Sequence, residues 1–297
     1  MLKTSVETYS LRHYFGDDTA ISMISDAGFD CIDYSFYWMT PEEYEKALGS
    51  GYLEYAEHIN RVLKENNITC NQTHAPFEVS GNDSFDTENE NYLRIVRAIE
   101  FSAVIGAKCV IVHGVYRGHD DDEKSYEDLN FRYYKSLQPY AERFGIKIAI
   151  ENLFSNIVEP TGYKHGFLAK PELMKNLLER LDSDVFCVCV DVGHSAICGI
   201  SPEDYISKLD GDILMALHLH DNDFRDDLHY LPFSGRMNWE NIEKSLASID
   251  YRGDITLEVM GALLTFPQSL ISQTLSLAQG TAQEIADKIK MMKRTEK

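Results

Sequence analysis

No part of this 297-residue chain holds the ~18 consecutive apolar residues that a membrane-crossing helix needs, so a transmembrane segment is excluded. Positive charge is scarce. Lys and Arg number 28 against 48 Asp and Glu, and the formal net charge of −20 disfavours a polyanion such as DNA as partner unless a local patch overrides it. The six cysteines (Cys31, Cys70, Cys109, Cys187, Cys189 and Cys198) form no C-x-x-C pair, and most sit inside strand-like runs. They read as reduced core thiols rather than as disulfides or a cysteine metal site. No Pro/Gly/Ser linker, composition shift or sequence repeat marks a boundary, so residues 1–297 are expected to form a single domain. No signal-peptide apolar segment follows Met1-Leu2-Lys3, which run directly into a strand, and the expected location is cytoplasmic.

What is present is a regular alternation. Strand-like runs begin near residues 3, 29, 67, 107, 146, 185, 213 and 254, separated by amphipathic stretches such as Tyr55–Leu63. Strands alternating with helices imply a parallel sheet, and eight such units match the (β/α)8 TIM barrel, typically about 250 residues long. Side chains on a strand alternate between faces. One face of each late run is aliphatic and suits packing on helices: Phe186, Val188 and Val190; Met215, Leu217 and Leu219; Ile255, Leu257 and Val259. The other carries Cys187, Cys189 and Asp191; Ala216, His218 and His220; Thr256 and Glu258, and is expected to point into the barrel.

Six successive runs end on a group that can bind a metal or move a proton. They end in His74, His113, Glu151-Asn152, Asp191 with His194 beyond it, His218-Leu219-His220-Asp221, and Glu258. A lone histidine at a strand end is ordinarily a hydrogen-bonded structural group. Agreement among six strands instead matches the carboxyl face of a barrel, where active-site residues come from several strand ends. Glu151, Asp191 and Glu258 gathered at one mouth would repel one another strongly, and a cation is the natural way to keep all three ionised.

The stretches T-H-A-P-F (Thr73 to Phe77), I-E-N (Ile150 to Asn152), V-D-V-G-H (Val190 to His194), H-L-H-D-N-D (His218 to Asp223), D-L-H-Y-L-P-F-S-G (Asp227 to Gly235) and L-E-V (Leu257 to Val259) resemble the xylose-isomerase-like barrel superfamily. It includes sugar phosphate isomerases, ketose 3-epimerases, inosose-processing enzymes and endonuclease IV. The resemblance implies a divalent-metal-dependent sugar or sugar phosphate isomerase or epimerase, working by proton transfer next to a carbonyl through a metal-bound enediolate. It implies Glu151, Asp191, His218 and Glu258 as metal ligands, Glu151 and Glu258 doubling as the acid/base pair, and His194 on the substrate. Three carboxylates and one imidazole suit Mn²⁺ or Mg²⁺, with Zn²⁺ or Co²⁺ as competitors. His220 shares the phase of His218; the resemblance favours His218.

Two alternatives come with the resemblance. An inosose dehydratase or isomerase would start from the same enediolate. Endonuclease IV binds three zinc ions with additional ligands, and His74, His113, His194, Asp227 and His229 are candidates for them here. The acidic stretch Gly118–Glu123, with Asp83, Asp86, Glu88 and Glu90, argues against a duplex at the mouth. The expected partner is a small sugar or polyol-derived molecule, with a homo-oligomer left open. Arg225 is a further candidate for a phosphate or sugar hydroxyl, beside its reading as an exposed loop residue. Tyr9, Tyr34, Phe36, Trp38, Phe77 and Tyr116 are candidates both for a pocket wall and for the core. His119–Asp128 reads as a solvated surface loop or a lid.

Overall fold

The computed structural model describes residues 2–77, 84–115, 123–159, 162–166 and 168–295. Its strands are β1 (Thr4–Glu7), β2 (Cys31–Ser35), β3 (Thr69–His74), β4 (Cys109–Val112), β5 (Lys147–Glu151), β6 (Phe154–Glu159), β7 (Gly162–His165), β8 (Phe186–Asp191), β9 (Leu214–His218) and β10 (Ile255–Leu257). Eight of them form one parallel sheet in the order β10-β1-β2-β3-β4-β5-β8-β9. A parallel bridge from Leu219 to Leu257 joins the last strand to the first and closes the ring. This is a (β/α)8 TIM barrel, and each sheet strand starts within two residues of its predicted position. The antiparallel hairpin β6–β7 is an addition that the alternation did not predict.

The helices follow from their apolar spacing. Helix Tyr52–Glu65 buries Tyr55, Ala56, Ile59, Val62 and Leu63, the stripe that a period of 3.6 places on one face. Helix Pro171–Leu181 starts on a proline, whose missing N–H costs nothing there, and stops at Asp182 in the left-handed region with φ 43°. Residues from Glu123 onward, expected as loop, begin the helix Glu123–Phe144; the rest of that acidic stretch lies outside the described residues.

The two faces of the strands separate as their alternation predicts. Val188, Val190, Leu217, Leu219, Ile255 and Leu257 pack outward in the main core, while Cys109, Ile111, Ala149, Cys187, Cys189 and Ala216 form a separate cluster. Met215 is an exception: it packs against this second cluster, because the register slips between Val188 and Cys189, which pair with Leu214 and Ala216. All six cysteines are buried free thiols. The opposite part of the barrel is hydrogen-bonded instead. Ser5 donates to Asn71 (2.7 Å), Asn71 to Thr256 (3.0 Å) and Thr256 to Gln72 (3.2 Å).

Candidate metal centre

Parallel register brings the strand ends to one rim, with Asp191 opposite His218 and Glu151 opposite Cys189. Asn152 ties β5 to β8 by accepting from the Asp191 amide (2.8 Å) and donating to its carbonyl (2.9 Å). Asp191 in turn caps the short helix Val192–Ile197 by accepting from the His194 amide at 2.7 Å. That cap turns the chain so that His194 comes back over the site.

Glu151, 1% exposed, lies at the centre. Its Oε2 is 2.9 Å from His113 Nε2 and 3.4 Å from His74 Nε2. Its Oε1 is 3.0 Å from His218 Nδ1 and 3.5 Å from His194 Nδ1. His218 Nδ1 also lies 3.3 Å from Glu258 Oε2 and 3.9 Å from Asp191 Oδ2, so three carboxylates surround one ring nitrogen. Beside them, Asp227 Oδ2 is 3.1 Å from His229 Nε2 and 3.6 Å from His194 Nε2. Glu151 thus connects the four predicted ligands to His74 and His113, and His194 connects them to Asp227 and His229.

Several imidazoles are anchored by one nitrogen. Nδ1 of His74 is 2.8 Å from the Ala75 carbonyl, that of His194 2.9 Å from the Asn152 carbonyl, and that of His229 3.0 Å from the Glu258 carbonyl. A carbonyl only accepts, so Nδ1 carries a proton and Nε2 is the nitrogen turned to the site, available to a cation once it gives up any proton of its own.

Burial alone would raise the Glu151 carboxyl, but His218 and His113 outweigh it and hold it well below the usual range. Against the same opposition from burial, His194 and His220 bring Asp191 down to about 2, and His229 and His194 hold Asp227 low. Burial would lower His229, yet Asp227 pushes it up to about 10, and carboxylates likewise hold His194 high. Burial lowers His113. Without a cation, protons would neutralise the carboxylates, and a divalent cation can take their place. The residues fit such a group: its donors are carboxylate oxygens and imidazole nitrogens, and the Asp227 Oδ1 and His220 Nδ1 atoms are buried without a partner.

Among the other candidates, His220 Nε2 bonds Asp191 at 3.0 Å and stacks on His229 at 4.0 Å. Arg225 is exposed, and none of the interactions among the described residues ties its guanidinium to the cluster. Tyr34 and Phe36 are fully buried against Phe101 and belong to the core rather than to a pocket wall. Trp38 and Phe77 flank Tyr37 near His74 and His113. Tyr116 and Gly118–Asp122 lie outside the described residues, as does Asp83. Three site neighbours went unpredicted: Tyr37, whose hydroxyl donates to Glu258 Oε1 at 3.0 Å, Asp33, which contacts His218, and Glu7, which lies near Glu258.

Residues 21–294 match the family described as xylose isomerase-like TIM barrel. An uncharacterized protein of Sinorhizobium fredii (strain NBRC 101917 / NGR234), y4fM, is 26% identical over 269 residues, 80% of this chain and 79% of that one. Fructoselysine 3-epimerase of Escherichia coli O157:H7 is 26% identical over 139 residues, 47% of this chain and 48% of its own. A solved D-tagatose 3-epimerase-like protein superposes with a TM-score of 0.73 at 20% identity, covering 98% of this chain and 99% of that one.

Proposed function

Because the chain belongs to the xylose isomerase-like TIM barrel family, we propose that it is a divalent-metal-dependent isomerase or epimerase of a small sugar or sugar phosphate. The observation that carries this reading is the approach of Glu151 and Glu258, from strands three apart in the ring, to within 3.0 and 3.3 Å of the same His218 nitrogen. Glu151, Asp191, His218 and Glu258 would hold the cation, with Mn²⁺ or Mg²⁺ suited to their oxygen-rich set and Zn²⁺ or Co²⁺ as competitors. When bound, it supplies the positive charge that favours an ionised carbonyl oxygen.

The two glutamates are the acid/base pair. One takes the proton from carbon next to the carbonyl, and the other returns a proton from a different side, as epimerisation requires. Tyr37 occupies Glu258 Oε1 and orients that carboxylate. His194, anchored on the Asn152 carbonyl, would contact the substrate. The sets His74/His113/Glu151 and His194/Asp227/His229 favour a second reading of the metal content, in which more than one ion is bound, as in a nuclease-type zinc site. The net charge of −20 favours a small substrate over a duplex in either case.

The test is a screen of ketoses and their phosphates in D₂O with Mn²⁺, following deuterium incorporation by NMR. Glu151→Gln and Glu258→Gln should each lower turnover by about 10²–10⁴-fold. Exchange at parental rates in both variants would remove the pair from the mechanism. Conversion without solvent deuterium would point to a hydride shift.

A further inference from the structure

We infer that Asp33, in the middle of β2, is a positioning residue that fixes the tautomer of His218 and thereby aims its Nδ1 at the candidate metal centre. Asp33 Oδ2 lies 3.2 Å from His218 Nε2, on the far side of the ring from Glu151, Glu258 and Asp191. A cation among those carboxylates can be bound only by an Nδ1 that has given up its proton, so the ring's remaining proton must sit on Nε2. An ionised carboxylate at Nε2 accepts that proton's hydrogen bond, selects that tautomer and makes Nδ1 a better donor. A neutral acceptor would do the first with less strength and the last hardly at all.

The surroundings of Asp33 are built to present this one oxygen. Gln72 Nε2 donates to the same Oδ2 at 2.9 Å. The Gln72 amide is itself oriented from its other end, where Thr256 donates to Oε1, and its Nε2 also reaches the carbonyl of Leu217, the residue before His218 (3.3 Å). Gln72 reaches Asp33 because the β2–β3 register slips between Ile32 and Asp33, which pair with Cys70 and Gln72. The slip lets the adjacent residues Asn71 and Gln72 both join the interior network, which plain alternation would forbid.

A packing role does not explain the carboxylate. Asp33 is 1% exposed, and its Oδ1 is buried with no partner, a state that costs stability and that an apolar residue of similar size would avoid. What a carboxylate adds at this position is charge on the histidine.

The inference rests on His218 being a ligand, and the experiment separates the two. MnCl₂ is titrated calorimetrically into chelator-stripped full-length protein and its Asp33→Asn, Asp33→Leu, His218→Ala and Asp33→Asn/His218→Ala variants. Asp33→Asn keeps volume and one acceptor oxygen, so its Tm should stay near parental while Mn²⁺ affinity falls about 10- to 100-fold; Asp33→Leu should lose at least as much. In the His218→Ala background, Asp33→Asn should have no further effect, because it acts through the ring. Histidine ¹⁵N spectra of the Zn²⁺-loaded parent, which need no variant to fold, should show His218 protonated at Nε2. Parental Mn²⁺ affinity in folded Asp33→Asn, or a proton on Nδ1 in the loaded protein, would overturn the role of Asp33. Parental affinity in His218→Ala would instead overturn the ligand assignment beneath it.

Discussion

Glu7 is the carboxylate at the rim with the least compensation. It is fully buried at the end of β1, accepts from the amide and hydroxyl of Ser10, and has Glu258 and Asp33 nearby; no basic side chain pairs with it among the described residues. Burial pushes its carboxyl up to about 7, against the help of Ser10. Because the folded value lies above the unfolded one, the stability it contributes is full below about pH 4.3 and is lost as pH rises through about 7. The loss is on the order of 3–4 kcal/mol at most by linkage. Glu7→Gln removes the ionisation while keeping the size, so in the metal-free protein its Tm should exceed the parent's by several degrees at pH 8 and match it near pH 4. Equal Tm differences at both pH values, from thermal melts of chelated protein, would show that Glu7 ionises without penalty. At the same scale, six members of the candidate cluster were readable, since His74, His113, Glu151, Asp191, His218 and Glu258 each terminate a strand-like run. Glu7 ends the first strand in the same way and carries the same signal, whereas Asp33 lies in the middle of the strand Cys31–Ser35 and has no strand-end signal. Tyr37 carries none, because it follows β2 in a loop and reaches Glu258 only through the closure of the barrel.

At the scale of elements, alternation located the eight sheet strands and sorted most of their faces, since period two is a local property. Register is not local, and the slips at Asp33 and at Cys189 depend on the neighbouring strand. They moved Gln72 onto Asp33 and Met215 against the inner cluster, two placements that sequence alone could not supply. The turn from β8 into the helix Val192–Ile197 shows how tightly these elements meet. A Cβ on Gly193 would lie 1.9 Å from His220 Cε1 and 2.4 Å from its Nε2. The ring has little room to retreat, because it stacks on His229 and holds Asp191. Gly193→Ala should therefore cost about 1–3 kcal/mol by overpacking and loosen Asp191. The expected result is a lower Tm together with a lower bound-metal content by elemental analysis. A variant melting and binding metal like the parent would mean that His220 is free to move.

For the whole molecule, the question is which substrate such a rim can meet. The groups that could hold a metal do not by themselves separate sugar chemistry from phosphodiester chemistry, since His74, His113, His194, Asp227 and His229 lie beside the four proposed ligands. Charge favours the small substrate. A duplex is held by Lys and Arg that displace condensed counterions, and this chain carries a net charge of −20, with Asp86 and Glu88 exposed after β3 and Glu90 exposed at the start of the helix Glu90–Val104. At about 0.15 M salt the screening length is about 8 Å, too long to hide that charge from a duplex brought into contact. Metal-loaded protein at micromolar concentration should neither shift nor cut a duplex containing an abasic site, and lowering the salt should not rescue binding, because the net interaction is repulsive. Incision at enzyme-like rates that is lost in Glu258→Ala would reverse this conclusion: a local cationic path would then have to lie on the rim, and the multinuclear reading of the centre would take precedence over the sugar isomerase.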